Sequence, residues 1–325
     1  MSLINLMFEV TQSCNCDCVF CYNVWKGKSE YPKGSLSLDQ IKMLFDNLFI
    51  GLPAQSIFLS GGEPLLRDDL EDIVVYLKSK KLFVGICTNG LLLTPKKTNS
   101  LIEAGVDQFE ITLLSADPNV HNTLSGCPVS FESACEAVAN VLQYKANLRI
   151  AFVATRQNIH SVGEVIDCVA KMGVKAFAFY RFTPTGKGIA NHDALMPTQE
   201  QLNNAMDVMD AKADQWKVKI NLGIPVEPCL LKKNPKNIFF TYCQAGSRKL
   251  TIDSLGNLRL CEQDSRILGN LFQKNMAMLI LKEKFIGPKR PLMEDCRNCS
   301  QRNLCRGGCK FLCDDHSSGR KLAFA

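Results

Sequence analysis

Apolar residues follow two alternating spacings along the first 185 residues of the chain. Short apolar runs between glycine, serine and charged positions predict buried strands. Segments with apolar residues three and four positions apart separate these runs, and this spacing predicts amphipathic helices. The predicted strands are 4–11, 56–60, 82–88, 108–115, 149–155 and 176–182, and the predicted helices are 37–49, 68–81, 95–104, 130–145 and 161–172.

Six strand–helix units in succession predict an α/β fold with a parallel sheet and right-handed crossovers. The pattern fits either an open doubly wound sheet or a barrel, and in both architectures ligands bind at the C-terminal ends of the strands. Unusual residues follow those ends, namely a cysteine run after the first strand and then the turns SGGEP, TNG, SAD and TPTGKG. The sequence therefore predicts a site along one rim of the sheet.

The pattern changes beyond residue 190, where a helix predicted over 198–216 is followed by irregular, cysteine-rich sequence, so we place a domain boundary between 190 and 225. No apolar run is long enough to cross a membrane, and the N-terminus lacks the zones of a signal peptide, so we expect a cytoplasmic protein. The net charge of +6 comes from scattered basic residues, which gives no indication of nucleic acid binding.

Sixteen cysteines are many for a cytosolic enzyme. Because cytosolic thiols stay reduced, clustered cysteines indicate metal binding rather than disulfides. One cluster occupies residues 14–21 and a second spans residues 229–313. The four isolated cysteines are predicted to be small buried apolar residues: Cys87, Cys127, Cys135 and Cys168.

The first cluster raises the question of how many of its thiols bind one centre. Cys14, Cys18 and Cys21 have the spacing C-x3-C-x2-C, which suits three thiolates on a 4Fe–4S cluster with one iron left open for a ligand. Four thiolates, with Cys16 included, would make a closed centre instead. An all-thiolate zinc site is the alternative.

The stretch CNCDCVFCY is similar to the cluster loop of the radical S-adenosylmethionine (SAM) enzymes. This resemblance implies that Cys14, Cys18 and Cys21 bind a 4Fe–4S cluster, that Tyr22 is the family's aromatic residue after the last cysteine, and that Cys16 is not a ligand. The amino and carboxylate groups of SAM would then chelate the fourth iron. The resemblance covers roughly residues 5 to 190 and implies a partial (β/α)6 TIM-like barrel.

Two further turns carry the resemblance to SAM-binding positions. SGGEP resembles the second-strand motif that meets the methionine amino group, where Gly61 and Gly62 would let a ligand approach the backbone and Glu63 would accept hydrogen bonds from the ammonium. Ser115 and Asp117 in SAD resemble a fourth-strand Ser-x-Asp, where the serine lies near SAM.

The segment HNTLSG departs from the family pattern. Relatives often have His-Asp-x-x-Arg-Gly there, and Asn122 and Ser125 replace the Asp and the Arg. This leaves the partner of the SAM carboxylate open, and the alternatives are Arg149, Arg156 and Arg181. The turn TPTGKG resembles the sixth-strand end of enzymes that build peptide-derived cofactors and modify haem.

The second cysteine cluster resembles the SPASM domain, the auxiliary-cluster module of many radical SAM enzymes that act on peptides and proteins. Cys243, Gly256 and Cys261 match C-x9–15-G-x4-C, and residues 296–309 match C-x2-C-x5-C-x3-C. The resemblance implies two auxiliary 4Fe–4S clusters. Cluster I would take Cys229, Cys243, Cys261 and Cys309, and cluster II would take Cys296, Cys299, Cys305 and Cys313.

Two spacings differ from those usual in the family. Cys313 follows Cys309 by only four positions, and Cys229 precedes Cys243 by fourteen. If either Cys229 or Cys313 lies outside the ligand set, one cluster keeps an open iron, and a zinc ribbon is the alternative for the whole group. The implied domains are a radical SAM core over 1–195, a connecting helix and linker over 196–228, and a SPASM domain over 229–325.

The function implied by the resemblance is that of an oxidoreductase or maturase, which forms a 5′-deoxyadenosyl radical and modifies a peptide or protein side chain. Cross-linking, thioether formation, epimerisation and oxidation are all compatible with it. Glu262 directly follows Cys261, where some relatives carry an acid–base residue. The alternatives are an oxidoreductase acting on a small molecule such as a tetrapyrrole, and an iron–sulfur electron carrier that does not cleave SAM.

The expected partners follow from the same resemblance. They are a peptide or protein substrate and an electron donor such as flavodoxin or ferredoxin, without nucleic acid or membrane. Because the chain begins directly on its first strand, we expect a peptide substrate to need either a separate recognition protein or direct capture by the modest positive charge.

Overall fold

The structure is a computed structural model that describes residues 4–26, 28, 30–50, 52–273, 294–309 and 311. The strands are Ile4–Thr11 (β1), Ala54–Gly61 (β2), Phe83–Thr88 (β3), Gln108–Thr112 (β4), Leu148–Ala154 (β5), Ala176–Arg181 (β6), Lys219–Leu222 (β7), Ile238–Phe239 (β8), Lys249–Ile252 (β9), Asn257–Arg259 (β10) and Gly269–Asn270 (β11). They form one sheet in the order β11-β10-β9-β1-β2-β3-β4-β5-β6-β7-β8.

Helices follow β1 to β6, and two short helices lie near the end of the described part of the chain. They are Leu38–Phe49 (α1), Leu70–Ser79 (α2), Pro95–Ala104 (α3), Pro118–Ser125 (α4), Ser130–Gln143 (α5), Val162–Met172 (α6), His192–Leu195 (α7), Gln199–Trp216 (α8), Glu294–Arg297 (α9) and Arg302–Cys305 (α10). The six predicted strands and the six predicted helices are all confirmed, with ends that differ by at most three residues. The sequence did not predict α4 or the short strands after α8.

Strands β1 to β8 are parallel to their neighbours, as a βα succession requires. Local sequence sets the ends of the helices: Ser37 and Gln40 form a capping box at α1, and Thr198 and Gln201 form another at α8. The apolar face of α1 packs on the sheet, where the rings of Phe8 and Phe45 meet edge to face with centroids 5.2 Å apart.

The C-terminal region continues the same sheet. Strand β9 pairs in parallel with β1, and β10 and β11 extend the sheet by antiparallel pairing. A fully buried ion pair joins Arg259 on β10 to Glu9 on β1. Strands from both sides of the expected domain boundaries therefore belong to one sheet, and the division at 195 and 228 stays a prediction.

The α/β architecture with a parallel sheet and a cysteine-rich C-terminal region is confirmed. Within the described ranges, no helix is long and apolar enough to cross a membrane.

Candidate active site at the rim of the parallel sheet

The cysteine run lies directly after β1 and borders a cavity of about 130 Å³. Cys14, Cys18 and Cys21 all line this first cavity, Cys14 being exposed and the other two half-buried. The turns that follow β2 and β3 line it as well, with Gly61, Gly62, Glu63, Thr88 and Asn89. The predicted convergence of these turns on one rim is thus seen in the structure.

The two glycines of SGGEP let the β2 turn pack against the cysteine run itself. A Cβ at Gly62 would lie 2.0 Å from the carbonyl oxygen of Ser13, and one at Gly61 would lie 2.3 Å from that of Thr11. Backbone bonds fix the contact, since Gly62 donates to Thr11 and Glu63 donates to Ser13, both at 2.8 Å. These contacts give the two glycines a role that the sequence did not indicate. They let the β2 turn pack closely against the residues before Cys14.

The TPTGKG turn supports the cysteine run from the other side. Gly186 has a φ of +55°, and a Cβ there would lie 2.6 Å from the carbonyl oxygen of Cys21. Gly188 donates to the same carbonyl oxygen at 3.4 Å, and Lys187 Nζ contacts Asp17 Oδ2 at 2.5 Å. This turn therefore holds the cysteine run in place.

Glu63 is almost fully buried, and protein donors occupy most of its carboxylate. Oε1 accepts from Leu65 N at 3.1 Å and from Thr88 Oγ1 at 2.7 Å, while Oε2 accepts from Asn89 N at 2.9 Å. Burial raises the pKa of Glu63 to about 7, against the lowering effect of these hydrogen bonds. Oε2 keeps one acceptor position, because a carboxylate oxygen can accept two bonds.

Cys16 differs from its three neighbours in its contacts. It is buried, and its Sγ lies 3.4 Å from the donor Nδ2 of Asn89 and hydrogen-bonds with Cys127. It also lines the first cavity, so its position alone does not separate it from the other three. Its exclusion from the ligand set stays a prediction that a variant can test.

The three arginines considered for the SAM carboxylate all lie elsewhere. Arg149 pairs with Glu110, and Arg181 forms a buried pair with Glu227 at 2.7 Å. Arg156 Nε donates to the carbonyl oxygen of Met196 at 2.8 Å. None of the three lines the first cavity.

A different cation and several polar residues line the first cavity. Lys26 donates to the carbonyl oxygen of Cys16 at 2.9 Å and pairs with Asp17 at 3.2 Å. Asn23, Lys26 and Ser130 line the cavity without having been predicted, and His121 and Ser125 of the HNTLSG segment line it as well. Asn23 and Lys26 directly follow the cysteine run, and that proximity was the available signal.

His121 is held neutral by its surroundings. Burial lowers its pKa to about 4, and Nδ1 accepts from the backbone N–H of Leu114 at 3.1 Å. The ring proton must then be on Nε2.

Ser115 and Asp117 stabilise the turn between β4 and α4 through local hydrogen bonds. Asp117 Oδ1 accepts from Asn119 N at 2.8 Å and caps α4, and Ser115 Oγ accepts from Asp117 N at 3.0 Å. Neither residue lines the first cavity.

Tyr22 lines the first cavity, and its hydroxyl is 3.3 Å from Ser60 Oγ. Burial, and after it the charge of Glu262, raises the pKa of Tyr22. Glu262 lines a second cavity, of about 240 Å³.

In the second cavity Glu262 forms an ion pair with Lys249, with Oε1 2.7 Å from Nζ. Burial alone would raise the pKa of Glu262, but the charge and hydrogen bond of Lys249 hold it below its ordinary value. Oε2 is buried and has no hydrogen-bond partner among the described residues.

A second polar network lines the wall between the two cavities. Glu110 pairs with Arg149 and accepts from the Tyr180 hydroxyl at 2.9 Å. The Cys87 thiol, at the first cavity, lies 3.8 Å from Glu110 Oε1. Arg149 and Tyr180 line the second cavity.

The described auxiliary cysteines differ in position. Cys243, Cys261 and Cys309 line the second cavity. Cys229 is exposed and Cys296, Cys299 and Cys305 are half-buried, and none of these four lines that cavity. Cys313 lies outside the described residues.

The donors at the first cavity fit the iron–sulfur cluster and SAM that the sequence implies. Three thiols border one cavity, and Asn23 Oδ1 is buried there without a partner in the described part of the chain. With the acceptor position left on Glu63 Oε2, the cavity offers oxygen acceptors for a ligand ammonium. In the described ranges, no three Cys, His, Asp or Glu side chains are arranged to hold one metal ion.

The first half of the chain matches a known protein family. The family model of the Radical SAM superfamily matches residues 8–169. The AdoMet-dependent heme synthase of Methanosarcina barkeri is 30% identical over 184 residues, which cover 56% of this chain and 52% of the synthase. The chain thus spans about half the length of that relative.

Two other similarities extend over nearly the whole chain. The mycofactocin maturase MftC of Mycolicibacterium smegmatis is 28% identical over 317 residues, covering 94% of this chain and 78% of MftC. The crystal structure of Streptococcus suis SuiB bound to the precursor peptide SuiA superimposes with a TM-score of 0.73 at 15% identity, covering 94% of this chain and 72% of SuiB. The similarity to SuiB shows that the two proteins share a fold, and the matched part of this chain includes its cysteine-rich C-terminal region.

Proposed function

The chain belongs to the radical SAM superfamily, and from this premise we propose that it modifies a side chain of a peptide or protein by radical chemistry. In this proposal the first cavity holds the SAM-binding cluster and the second cavity receives the substrate. When bound, the cluster and SAM supply a 5′-deoxyadenosyl radical that takes a hydrogen atom from a substrate carbon.

The observation that carries the proposal is the buried carboxylate of Glu262 in the second cavity. Its Oε1 is held by Lys249 and its Oε2 has no partner within the described residues, so one buried carboxylate oxygen remains available to a substrate. Cys87 at the first cavity lies 3.8 Å from Glu110, whose partners Arg149 and Tyr180 line the second cavity, so a substrate in the second cavity would lie beside the SAM site. We assign Glu262 the task of accepting a proton from the substrate.

The residues around the first cavity would divide the binding of the cofactors. Cys14, Cys18 and Cys21 would hold the cluster, and Glu63 Oε2 and Asn23 Oδ1 would accept hydrogen bonds from the ammonium of SAM. Lys26 takes the place of the three arginines as the candidate cation for the SAM carboxylate, since it lines the cavity.

Two observations favour a peptide over a small molecule. The relative MftC, whose name describes a maturase, and SuiB, which was crystallised with a precursor peptide, each match 94% of this chain. The heme synthase matches 56%. Whole-length similarity therefore goes with the maturase and with the protein that was crystallised with a peptide. The second cavity is also lined by Asn221 and Gln244, whose side-chain amides can donate hydrogen bonds to the carbonyl oxygens of a peptide segment.

The second candidate function is oxidation of a tetrapyrrole. The observation in its favour is the 30% identity with the heme synthase, which is the higher of the two sequence identities. The two functions differ in where the abstracted hydrogen comes from.

Isotope transfer distinguishes the two candidates. The protein is reconstituted anaerobically with iron and sulfide and incubated with SAM and dithionite. One sample receives a deuterated short peptide encoded beside this gene, and another receives a deuterated porphyrin. We expect deuterium in 5′-deoxyadenosine from the peptide sample alone. Deuterium from the porphyrin alone would overturn the peptide proposal, and a protein that forms no 5′-deoxyadenosine at all would be an electron carrier.

Glu262→Gln tests the assigned proton acceptor. This variant should form 5′-deoxyadenosine at the normal rate while product falls about 100-fold or more, which is the usual contribution of a general base. Glu71→Gln is the matched control, because Glu71 forms a 2.8 Å pair with Lys97 and lines neither cavity. Equal product yields from the two variants would remove Glu262 from the mechanism.

A further inference from the structure

Two glycines make room for two aromatic rings near Arg149. A Cβ at Gly85 on β3 would lie 2.3 Å from the ring of Phe58, and one at Gly223, directly after β7, would lie 2.2 Å from the ring of Tyr180. The guanidinium of Arg149 lies over the Phe58 ring, with its Cζ 5.6 Å from the ring centroid. The absence of two Cβ atoms therefore allows the surroundings of Arg149 to take this form.

Glu110 holds one edge of the same guanidinium. Its Oε2 accepts a hydrogen bond from Arg149 Nε, and its Oε1 accepts one from the Tyr180 hydroxyl at 2.9 Å. Glu110 is buried, whereas 22% of the Arg149 side chain stays exposed. The carboxylate thus fixes the orientation of Arg149 from the buried side and leaves the rest of the guanidinium accessible.

The remaining donors of Arg149 have no acceptor in the protein. Neither of its Nη groups donates a hydrogen bond to a described residue, and Arg149 lines the second cavity. Asn221 lines the same cavity, and its side-chain amide also has no hydrogen-bond partner in the described ranges. Strand β6 runs between the strands of these two residues and contributes Ala178, which pairs with Asn221 in the sheet. The small side chain of Ala178 leaves space between the two sets of donors.

The charges at the second cavity determine which acceptor fits these donors. Glu110 neutralises Arg149 and Glu262 neutralises Lys249, so the two pairs carry no net charge. A carboxylate ligand would bring an unbalanced negative charge into a largely buried space, which is unfavourable. A carboxamide oxygen adds no charge, and its hydrogen bond from a guanidinium is stronger than one between neutral groups.

We propose that Arg149 and Asn221 bind a carboxamide oxygen of the substrate, and that Glu110 positions Arg149 for this task. The carboxamide belongs either to a peptide bond or to the side chain of a substrate Asn or Gln. Arg149 then determines specificity, because it selects a neutral amide over a carboxylate. The inference rests on the proposed function, since it takes the second cavity as the substrate site.

Three tripeptides with acetyl and amide caps test this selection: Ala-Gln-Ala, Ala-Glu-Ala and Ala-Ala-Ala. Calorimetry measures the binding of each to the reconstituted protein with SAM. We expect the Gln tripeptide to bind more tightly than the Glu tripeptide. Equal binding of the Gln and Ala tripeptides would identify a peptide bond as the ligand, and tighter binding of the Gln tripeptide would identify the side-chain amide. Tighter binding of the Glu tripeptide, or no binding of any of the three, would overturn the proposal.

Arg149→Lys keeps the positive charge beside Glu110 but removes the Nη groups. It should weaken binding of the Gln tripeptide about 10-fold or more, as expected for loss of a hydrogen bond from a charged donor. Arg266→Lys is the matched control, because Arg266 also pairs with a carboxylate, that of Asp264 at 2.9 Å, but does not line the second cavity. Equal binding by these two variants would remove Arg149 from the site.

Glu110→Gln separates specificity from a merely structural role. Its side-chain oxygen can still accept from Arg149 Nε, but the guanidinium is no longer neutralised. This variant should reverse the preference, so that the Glu tripeptide binds more tightly than the Gln tripeptide. An unchanged ratio would refute the selection by charge, and the comparison of Arg149→Lys with Arg266→Lys decides the case where Glu110→Gln fails to fold. Because calorimetry needs no turnover, a protein that binds the tripeptides as expected but transfers no deuterium from a peptide would refute the proposed function and leave the amide site supported.

Discussion

Gly62→Ala isolates the packing between the β2 turn and the cysteine run. The added Cβ would lie 2.0 Å from the backbone oxygen of Ser13, about 1.4 Å closer than the 3.4 Å at which ordinary contact begins. The two segments cannot move apart easily, because the backbone N–H groups of Gly62 and Glu63 donate hydrogen bonds of 2.8 Å to the carbonyl oxygens of Thr11 and Ser13. The run that carries Cys14 must therefore move by about an ångström.

A displacement of about 1 Å at a reacting centre can cost roughly 100-fold in rate. We expect Gly62→Ala to lower dithionite-driven formation of 5′-deoxyadenosine by at least that factor. The assay measures 5′-deoxyadenosine by chromatography and iron per chain in the same samples.

Gly173→Ala is the matched control. Gly173 has a φ of +103° but an added Cβ would meet nothing within 4 Å, so only backbone strain opposes the substitution. It should cost about 1–2 kcal/mol of stability and leave the rate unchanged. A normal rate in Gly62→Ala, or an equal loss of rate in the two variants, would refute the claim that this contact positions the cysteine run.

Three further predictions concern single residues. Cys16→Ala should keep 5′-deoxyadenosine formation while Cys14→Ala abolishes it, and loss of the cluster in Cys16→Ala would instead indicate a closed four-cysteine centre. His121 has a pKa lowered from 6.5 to about 4 by burial, so the unfolded state binds its proton first as the pH falls and stability is lost below pH 6.5. Urea unfolding should therefore show roughly 2 kcal/mol less stability at pH 5 than at pH 7 from this residue, a difference that His121→Gln should lack. Arg259→Met leaves the buried carboxylate of Glu9 without its partner and should cost about 3–5 kcal/mol, part of which the additional change Glu9→Gln should restore in thermal unfolding.

The sequence predicted the strand and helix succession well because each βα unit has its own local pattern. Apolar runs and helical spacing mark β1 to β6, and the caps at Ser37 and Thr198 mark the starts of α1 and α8. Helix α4 was missed because its eight residues, PNVHNTLS, carry little apolar periodicity. Strands of two to four residues, such as β8 and β11, leave too short a pattern to recognise.

The sequence predicted which turns form the site, but it did not predict the hydrogen-bond and ion-pair partners within it. That SGGEP and TNG belong together follows from the parallel sheet, but the bonds from Thr88 and Asn89 to Glu63 depend on side-chain direction. The pair Lys249–Glu262 joins β9 to the turn after β10, a pairing that local sequence does not encode.

The arrangement of the sheet also determines how the two halves of the chain can be separated in an experiment. Deleting residues after 225 would remove β9, the parallel partner of β1, and leave β1 as an exposed edge strand. The same deletion would remove Arg259 and leave Glu9 without its partner near the C-terminal end of β1, the strand that leads into the cysteine run. A truncated protein that fails to cleave SAM would therefore report damage to β1 rather than a role for the auxiliary clusters. Replacing Cys261 and Cys299 together leaves β9, β10 and the Glu9–Arg259 pair in place, so a loss of product with normal 5′-deoxyadenosine formation in that variant would isolate what the auxiliary clusters do.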